Sequence, residues 1–191
     1  MVVDIRPLTF DLWPVLEDLF GKQGACYGCW CTHFRLPPAA RRENNRESNK
    51  AHFMKRVEDG PPPGLMALDG GVGIGWMQVG PRADVPEWNN AGRVSAPLDD
   101  AERDDGAVWA VSCFFIRSKA RGAGLTHRLL AAGIAHAREN GARLLDACPM
   151  TESKSARSIG LFVGSTRVFE KAGFEAVAER KPGRPLMRLA L

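Results

Sequence analysis

One junction constrains this chain more than any other. Ala107–Ile116 is an apolar run with β-branched and aromatic members, and it reads as a buried strand. A short basic turn holding Lys119 and Arg121 follows, and then Gly122 and Gly124 open a segment of helical periodicity that runs to Asn140. Within it Leu125, Leu129, Leu130, Ile134 and Ala137 fall on one half of the helical wheel, and His127, Arg128, Arg138 and Glu139 on the other. Asn140 and Gly141 stop the helix. A helix start carries unpaired N–H groups at the positive end of the dipole. Two glycines there let an anion approach the backbone with no Cβ in the way. Lys119 and Arg121 add charge, so the segment has the physics of a phosphate site at a strand-to-helix turn.

The rest of the chain alternates strands and helices around this unit. Val2–Leu8 is expected as an edge strand, and Asp11 as the cap of a helix reaching Phe20. Residues 25–38 form a segment rich in cysteine and aromatic residues, closed by Pro37 and Pro38. Ala39–Glu58 reads as one mostly polar helix, broken by the prolines that follow Gly60. Leu65–Leu68 and Val72–Val79 read as a hairpin across Asp69, Gly70 and Gly71. Pro81–Gly106 reads as a long polar loop, a length that is uncommon unless the loop is functional or disordered. A strand over Arg143–Cys148, a short helix over Thr166–Ala172, and strands over Phe174–Ala178 and Leu186–Leu189 complete the order. With 191 residues, the expectation is one α/β domain, 1–191, on a mixed sheet.

Charge and cysteine usage exclude several classes. The net charge of +4 is small and spread out, whereas a nucleic-acid binder concentrates its Lys and Arg on one face. No apolar run approaches membrane-spanning length, and the start lacks an apolar signal region. Five cysteines, an odd number, do not suggest a disulfide framework, so reduced thiols and a cytoplasmic location are expected. No nucleic-acid or membrane partner is expected.

Arg121-Gly122-Ala123-Gly124-Leu125-Thr126 resembles the acyl-CoA-binding motif of the GNAT superfamily of N-acetyltransferases, a strand followed by Arg/Gln-x-x-Gly-x-Gly/Ala opening a long helix. The first and fourth positions match, and the sixth is Thr126 in place of Gly or Ala. A second stretch, Val168–Phe174, resembles the family's helix ending in Tyr-Glu-Lys-x-Gly-Phe. The resemblance covers the whole chain. It implies a mixed, mostly antiparallel sheet of six to seven strands flanked by about four helices. It implies acetyl-CoA as cosubstrate, with no metal, and transfer of the acetyl group to a primary amine of a small molecule or peptide. A homodimer is compatible with this reading. By the same resemblance, the pyrophosphate of coenzyme A lies on the amides of residues 122–126, with Arg121, Gly122, Ala123, Gly124, Leu125 and Thr126 forming its seat. Phe114, Phe115 and Ile116 pair with the pantetheine arm, and Phe169 packs on that arm or in the core. A backbone N–H near Phe114 or Phe115 serves as oxyanion donor, a contribution of roughly 3 kcal/mol.

The chain departs from the family at Phe169, where many relatives place the tyrosine that protonates the leaving thiolate. Tyr27, the only tyrosine, and Cys148 are the substitutes at hand. Asp146 is a candidate general base, as are His33 and the loop acids Asp84, Glu87, Asp99 and Asp100. That acidic loop also favours a cationic acceptor. The segment Cys26-x-x-Cys29-Trp30-Cys31-x-His33 has several readings. Cys29, Trp30 and Cys31 line an acceptor pocket in one. In others the segment offers soft ligands to zinc or a redox pair. A further alternative keeps the fold as a CoA-binding sensor with weak or no catalysis.

Overall fold

A computed structural model of the protein describes residues 2–43, 45–151 and 162–191. Seven strands form one sheet, in the order β1-β2-β3-β4-β5-β7-β6. They are β1 (Val3–Pro7), β2 (Gly64–Asp69), β3 (Val72–Pro81), β4 (Val108–Ile116), β5 (Leu144–Ala147), β6 (Glu175–Glu179) and β7 (Pro185–Ala190). The described helices are α1 (Trp13–Phe20), α2 (Pro38–Glu43), α3 (Arg46–Asp59), α4 (Leu125–Glu139) and α5 (Thr166–Lys171). Only β4 and β5 run parallel, and every other pair is antiparallel. The expected α/β fold on a mixed, mostly antiparallel sheet is what the chain adopts.

The sheet is packed on both faces. On one, α4 lays Leu125, Leu129, Leu130, Ile134 and Ala137 onto Leu65, Met77, Val79 and Val111. On the other, an aromatic layer gathers Trp13, Phe20, Trp30, Phe53 and Trp76 between the sheet, α1 and α3. Trp13 stacks on Trp30 at 5.9 Å and 26°, and Phe53 meets Trp76 edge-on at 5.9 Å.

Three expectations need correction. The helix expected over Ala39–Glu58 is two helices. Asn45 has extended backbone and its Oδ1 accepts from the Ser48 N–H at 2.9 Å, so it caps a fresh start at Arg46; residue 44 lies outside the described residues. Asp11 caps nothing: it lies inside a short 3-10 turn, Phe10–Leu12, and α1 begins at Trp13 with proline in its first turn. The polar loop after β3 is a packed structure of three 3-10 turns, Arg82–Asp84, Pro86–Asn89 and Asp100–Arg103. Val85 and Trp88 anchor it in a small apolar cluster. Arg180, from beyond β6, clamps it by donating to the carbonyls of Val94, Ala96 and Pro97 at 3.2, 2.8 and 3.0 Å.

Candidate active site

β4 is longer than its parallel partner. Val108–Val111 pair with Leu144–Ala147, and there the β5 ladder ends, because Pro149 follows. Ser112–Ile116 are therefore paired to β3 on one side and, among the described residues, to no strand on the other. Four residue steps of about 3.3 Å give roughly 13 Å of unpaired strand edge.

A bulge sits where the edge becomes free. Gln78 pairs with Cys113 and Val79 with Val111, so Ser112 is the extra residue. The bulge shifts the alternation of side chains. Trp109 and Val111 before it, and Phe114 and Ile116 after it, all face the α4 side. Cys113 and Phe115 are turned the other way, into a cavity of about 460 Å³. Phe115 also meets Phe20 edge-on at 5.4 Å and stacks near Phe162 at 6.3 Å.

At its far end β4 leads into the basic turn. Ser118–Ala120 form a 3-10 turn, and the Arg121 Nε donates to the Ile116 carbonyl at 3.1 Å, which leaves its outer N–H groups free. Gly122 and Gly124 have φ of 80° and 72°, a region that costs other residues roughly 1–2 kcal/mol. A Cβ at either position meets nothing within 4 Å, so the space over these amides is open. The backbone N–H groups of residues 122–124 make no described hydrogen bond, and the first amides of α4 have no partner within the helix. Arg121, Gly122, Ala123 and Gly124 are exposed and Thr126 half-buried, while the Leu125 side chain is in the core. Lys119, also exposed, has no ion-pair partner among the described residues. The unpaired edge, the glycine turn and the cavity thus lie along one strand.

The cavity wall is built largely by the cysteine-rich segment. Ala25, Tyr27, Trp30 and Cys31 all have positive φ, between 41° and 67°, a concentration of left-handed backbone that few sequences outside glycine adopt. Cys26, Cys29, Cys31 and Cys113 put thiols around the space. Burial pushes the Cys29 pKa up to about 12, and the neighbouring Cys31 adds to it. Burial also raises Cys31 well above the usual thiol range, helped by contact with Cys113, and raises Cys26. Cys26, Cys29 and Cys31 are therefore protonated at neutral pH. All five cysteines are free. Among the described residues no three His, Cys, Asp or Glu side chains are disposed to hold a metal ion.

Three buried polar side chains in this cavity have an atom with no partner among the described residues: Gln78 Nε2, Ser112 Oγ and Asn49 Oδ1. The Asn49 nitrogen is engaged, donating to the Gly28 carbonyl at 3.0 Å. Such orphans are costly without a ligand or water. At the rim, Arg41 Nη1 donates to His33 Nδ1 at 2.8 Å. His33 is an exposed residue, yet desolvation of its ring, with the guanidiniums of Arg41 and Arg93, pushes its pKa down to about 4. His33 is neutral, and with Nδ1 accepting from Arg41 it carries its proton on Nε2.

The other candidates of the sequence fall in different places. Tyr27 lines the cavity mouth but is 97% exposed. Trp30 turns away from the cavity into the aromatic layer, so of the three expected pocket residues only Cys29 and Cys31 line it. Cys148 is buried by Val85, Trp88 and Leu186 and does not line the cavity. Phe169 is fully buried, edge-on to Phe114 at 6.2 Å and to Phe174 at 5.1 Å. Gly164 passes over it so closely that a Cβ there would come within 3.0 Å of its ring.

Asp146 needs correction as a general base. It is fully buried, and both its oxygens are taken. Arg82 Nε donates to Oδ2 at 2.9 Å, and Arg188 donates from Nε to Oδ1 at 2.7 Å and from Nη2 to Oδ2 at 2.9 Å. Arg188 also holds Glu102 through two bonds of 2.8 Å, which keeps that carboxyl below its ordinary range. The loop acids do not reach the cavity: Asp100 pairs with Arg103 and Asp105 with Arg143. Gln78, Ser112, Asn49 and Arg41 carry no local sequence signal as cavity residues, because long-range packing brings them together.

Residues 29–174 match the acetyltransferase (GNAT) family. The chain belongs to the GNAT family of acetyltransferases. Solved GNAT structures share its fold along almost its whole length. The yncA acetyltransferase of Salmonella typhimurium, solved with its cofactor acetyl-CoA, is 21% identical with a TM-score of 0.55, covering 100% of this chain and 95% of that one. The GNAT domain of S. lividans PAT is 20% identical with a TM-score of 0.58, covering 99% and 90%. The ribosomal-protein-alanine N-acetyltransferase of Brucella melitensis is 23% identical with a TM-score of 0.55, covering 98% and 99%. Among curated proteins, no sequence matches this one. No described helix of this GNAT protein is long and apolar enough to cross a membrane.

Proposed function

We propose that this GNAT protein transfers the acetyl group of acetyl-CoA to an amine that enters the 460 Å³ cavity. One observation carries the reading: Ser112, Cys113 and Phe115 belong both to the unpaired edge of β4 and to the cavity wall, and the same strand ends at the glycine turn. The open amides of residues 122–126, with Lys119 and Arg121, fit the diphosphate of coenzyme A. Backbone groups of Phe114–Ile116 pair with an extended arm as a strand would. That arm leads a thioester toward the bulge, where acetyl-CoA supplies the electrophilic carbonyl. An N–H of Phe114 or Phe115 then steadies the oxyanion, worth roughly 3 kcal/mol.

Proton handling is sparse. Among the described residues no carboxylate lines the cavity, and the free nitrogen of His33 is already protonated. The amine therefore loses its proton to water, and the thiolate leaves without a buried acid, since Phe169 replaces the family's tyrosine. The reading is tested by release of free thiol from acetyl-CoA over a panel of primary amines. Turnover that rises with pH as the amine deprotonates supports it. The absence of acid and base favours one rival, a CoA-binding sensor. Tight acetyl-CoA binding with no turnover of any amine would establish the rival.

A further inference from the structure

The cavity has a charge signature of its own. Among the described residues its only charged lining residue is Arg41, and no described carboxylate lines it. Arg41 spends Nε on the Leu36 carbonyl at 3.1 Å and one Nη1 hydrogen on His33, and it has no carboxylate partner among the described residues. The remaining guanidinium hydrogens and the His33 Nε2–H are donors at the rim. Deeper, Gln78 Nε2 and the Ser112 hydroxyl are orphaned, and Asn49 Oδ1 is a buried acceptor without a partner. Ser112 is the bulged residue at the free edge of β4, and Gln78 borders the bulge on β3. Between rim and bulge the walls are aromatic rings and thiols, including Phe34, Phe115 and Phe162. A cavity of this volume suits one small molecule.

We propose that the cavity receives a small amine bearing an anionic group, of the class of apolar α-amino acids, with its carboxylate on Arg41 and His33 and its side chain against the aromatic wall. This assignment rests on the acetyl-transfer reading for the identity of the site, but its ligand chemistry is tested separately. A polycationic acceptor such as a lysine-rich peptide finds no anion among the described lining residues and is repelled by Arg41. The Asn49 carbonyl is the acceptor offered to the amine hydrogens.

Calorimetric titration of the CoA-loaded protein with three matched pairs tests it: phenylalanine, leucine and methionine, each against its primary amide, which lacks the anion. At least one amino acid is expected to bind about tenfold or more tighter than its amide, the scale of a charge-assisted guanidinium–carboxylate contact. Arg41→Gln should erase that preference, and Arg41→Lys should restore part of it, while CoA affinity stays unchanged. Equal or tighter binding of all three amides, no binding of any pair, or a preference that survives Arg41→Gln would overturn the proposal. Thiol release in the same samples separates the two readings. An amino acid that binds with the predicted preference but is not acetylated upholds the ligand class and removes the transfer reaction.

Discussion

Replacing Asp146 with alanine removes the only carboxylate bonded to Arg82 among the described residues. Both side chains are fully buried, so bulk solvent does not screen the unpaired guanidinium. Arg82 keeps its bonds to Asn89 Oδ1 at 2.7 Å and to the Ser95 carbonyl at 3.2 Å, but these are neutral acceptors. Arg188 keeps Glu102 and loses its other partner. An uncompensated buried charge of this kind costs about 3–5 kcal/mol. For a chain of this length about 2–4 °C of Tm accompanies each kcal/mol, so a fall of roughly 6–20 °C is expected. The assay is a thermal melt followed by circular dichroism, with acetyl-CoA binding measured well below the transition. The account predicts a large loss of stability with cofactor affinity retained in the surviving folded fraction. An Asp146→Ala protein that melts like the wild type but has lost acetyl transfer would refute the structural role and return Asp146 to the catalytic machinery.

Three further outcomes follow. His33 has a folded pKa of about 4 against an ordinary 6.5, so the unfolded chain binds the extra proton; stability should fall as pH drops from about 6.5 to 4, and His33→Gln should flatten that part of a pH–Tm profile relative to wild type. Phe169→Tyr introduces a hydroxyl at a fully buried site, and a chemical denaturation curve should show about 1–3 kcal/mol of lost stability unless bound acetyl-CoA supplies its partner. Tyr27→Phe should change kcat by less than about threefold, because an exposed hydroxyl in water is not the general acid; a drop of about a hundredfold would make it one.

What was legible in the sequence follows from how local each feature is. The strand, glycine turn and amphipathic helix around Gly122 and Gly124 are encoded within about thirty residues of chain, and the periodicity of Leu125–Ala137 reports the buried face directly. The helix start lies at Leu125 rather than Gly122 because both glycines hold left-handed backbone before it. The bulge at Ser112 was not legible, since in an apolar run buried on both faces the alternation that would mark a one-residue shift is absent. For the same reason the facing of Asp146 on β5 was undetermined, and with it the choice between base and structural anion. The left-handed backbone of Ala25, Tyr27, Trp30 and Cys31 has no local signal, because tertiary packing imposes it against residue preference. The pocket assembled from α3, β3, β4 and that segment was correspondingly invisible. Its cysteines were apparent but its orphaned polar atoms were not.

The glycine turn at the head of α4 is proposed to seat acetyl-CoA. The most direct test is calorimetric titration of acetyl-CoA into three proteins: wild type, Gly124→Val and Gly141→Val. Gly124 and Gly141 have φ of 72° and 79°, and a Cβ at either meets nothing within 4 Å, so the two variants carry a similar backbone strain at opposite ends of the same helix. Saturable binding by the wild type, weakening by more than about tenfold in Gly124→Val, and wild-type affinity in Gly141→Val are predicted, since only the first side chain stands over the open amides. No binding by the wild type, or equal affinities for the two variants, would contradict the account.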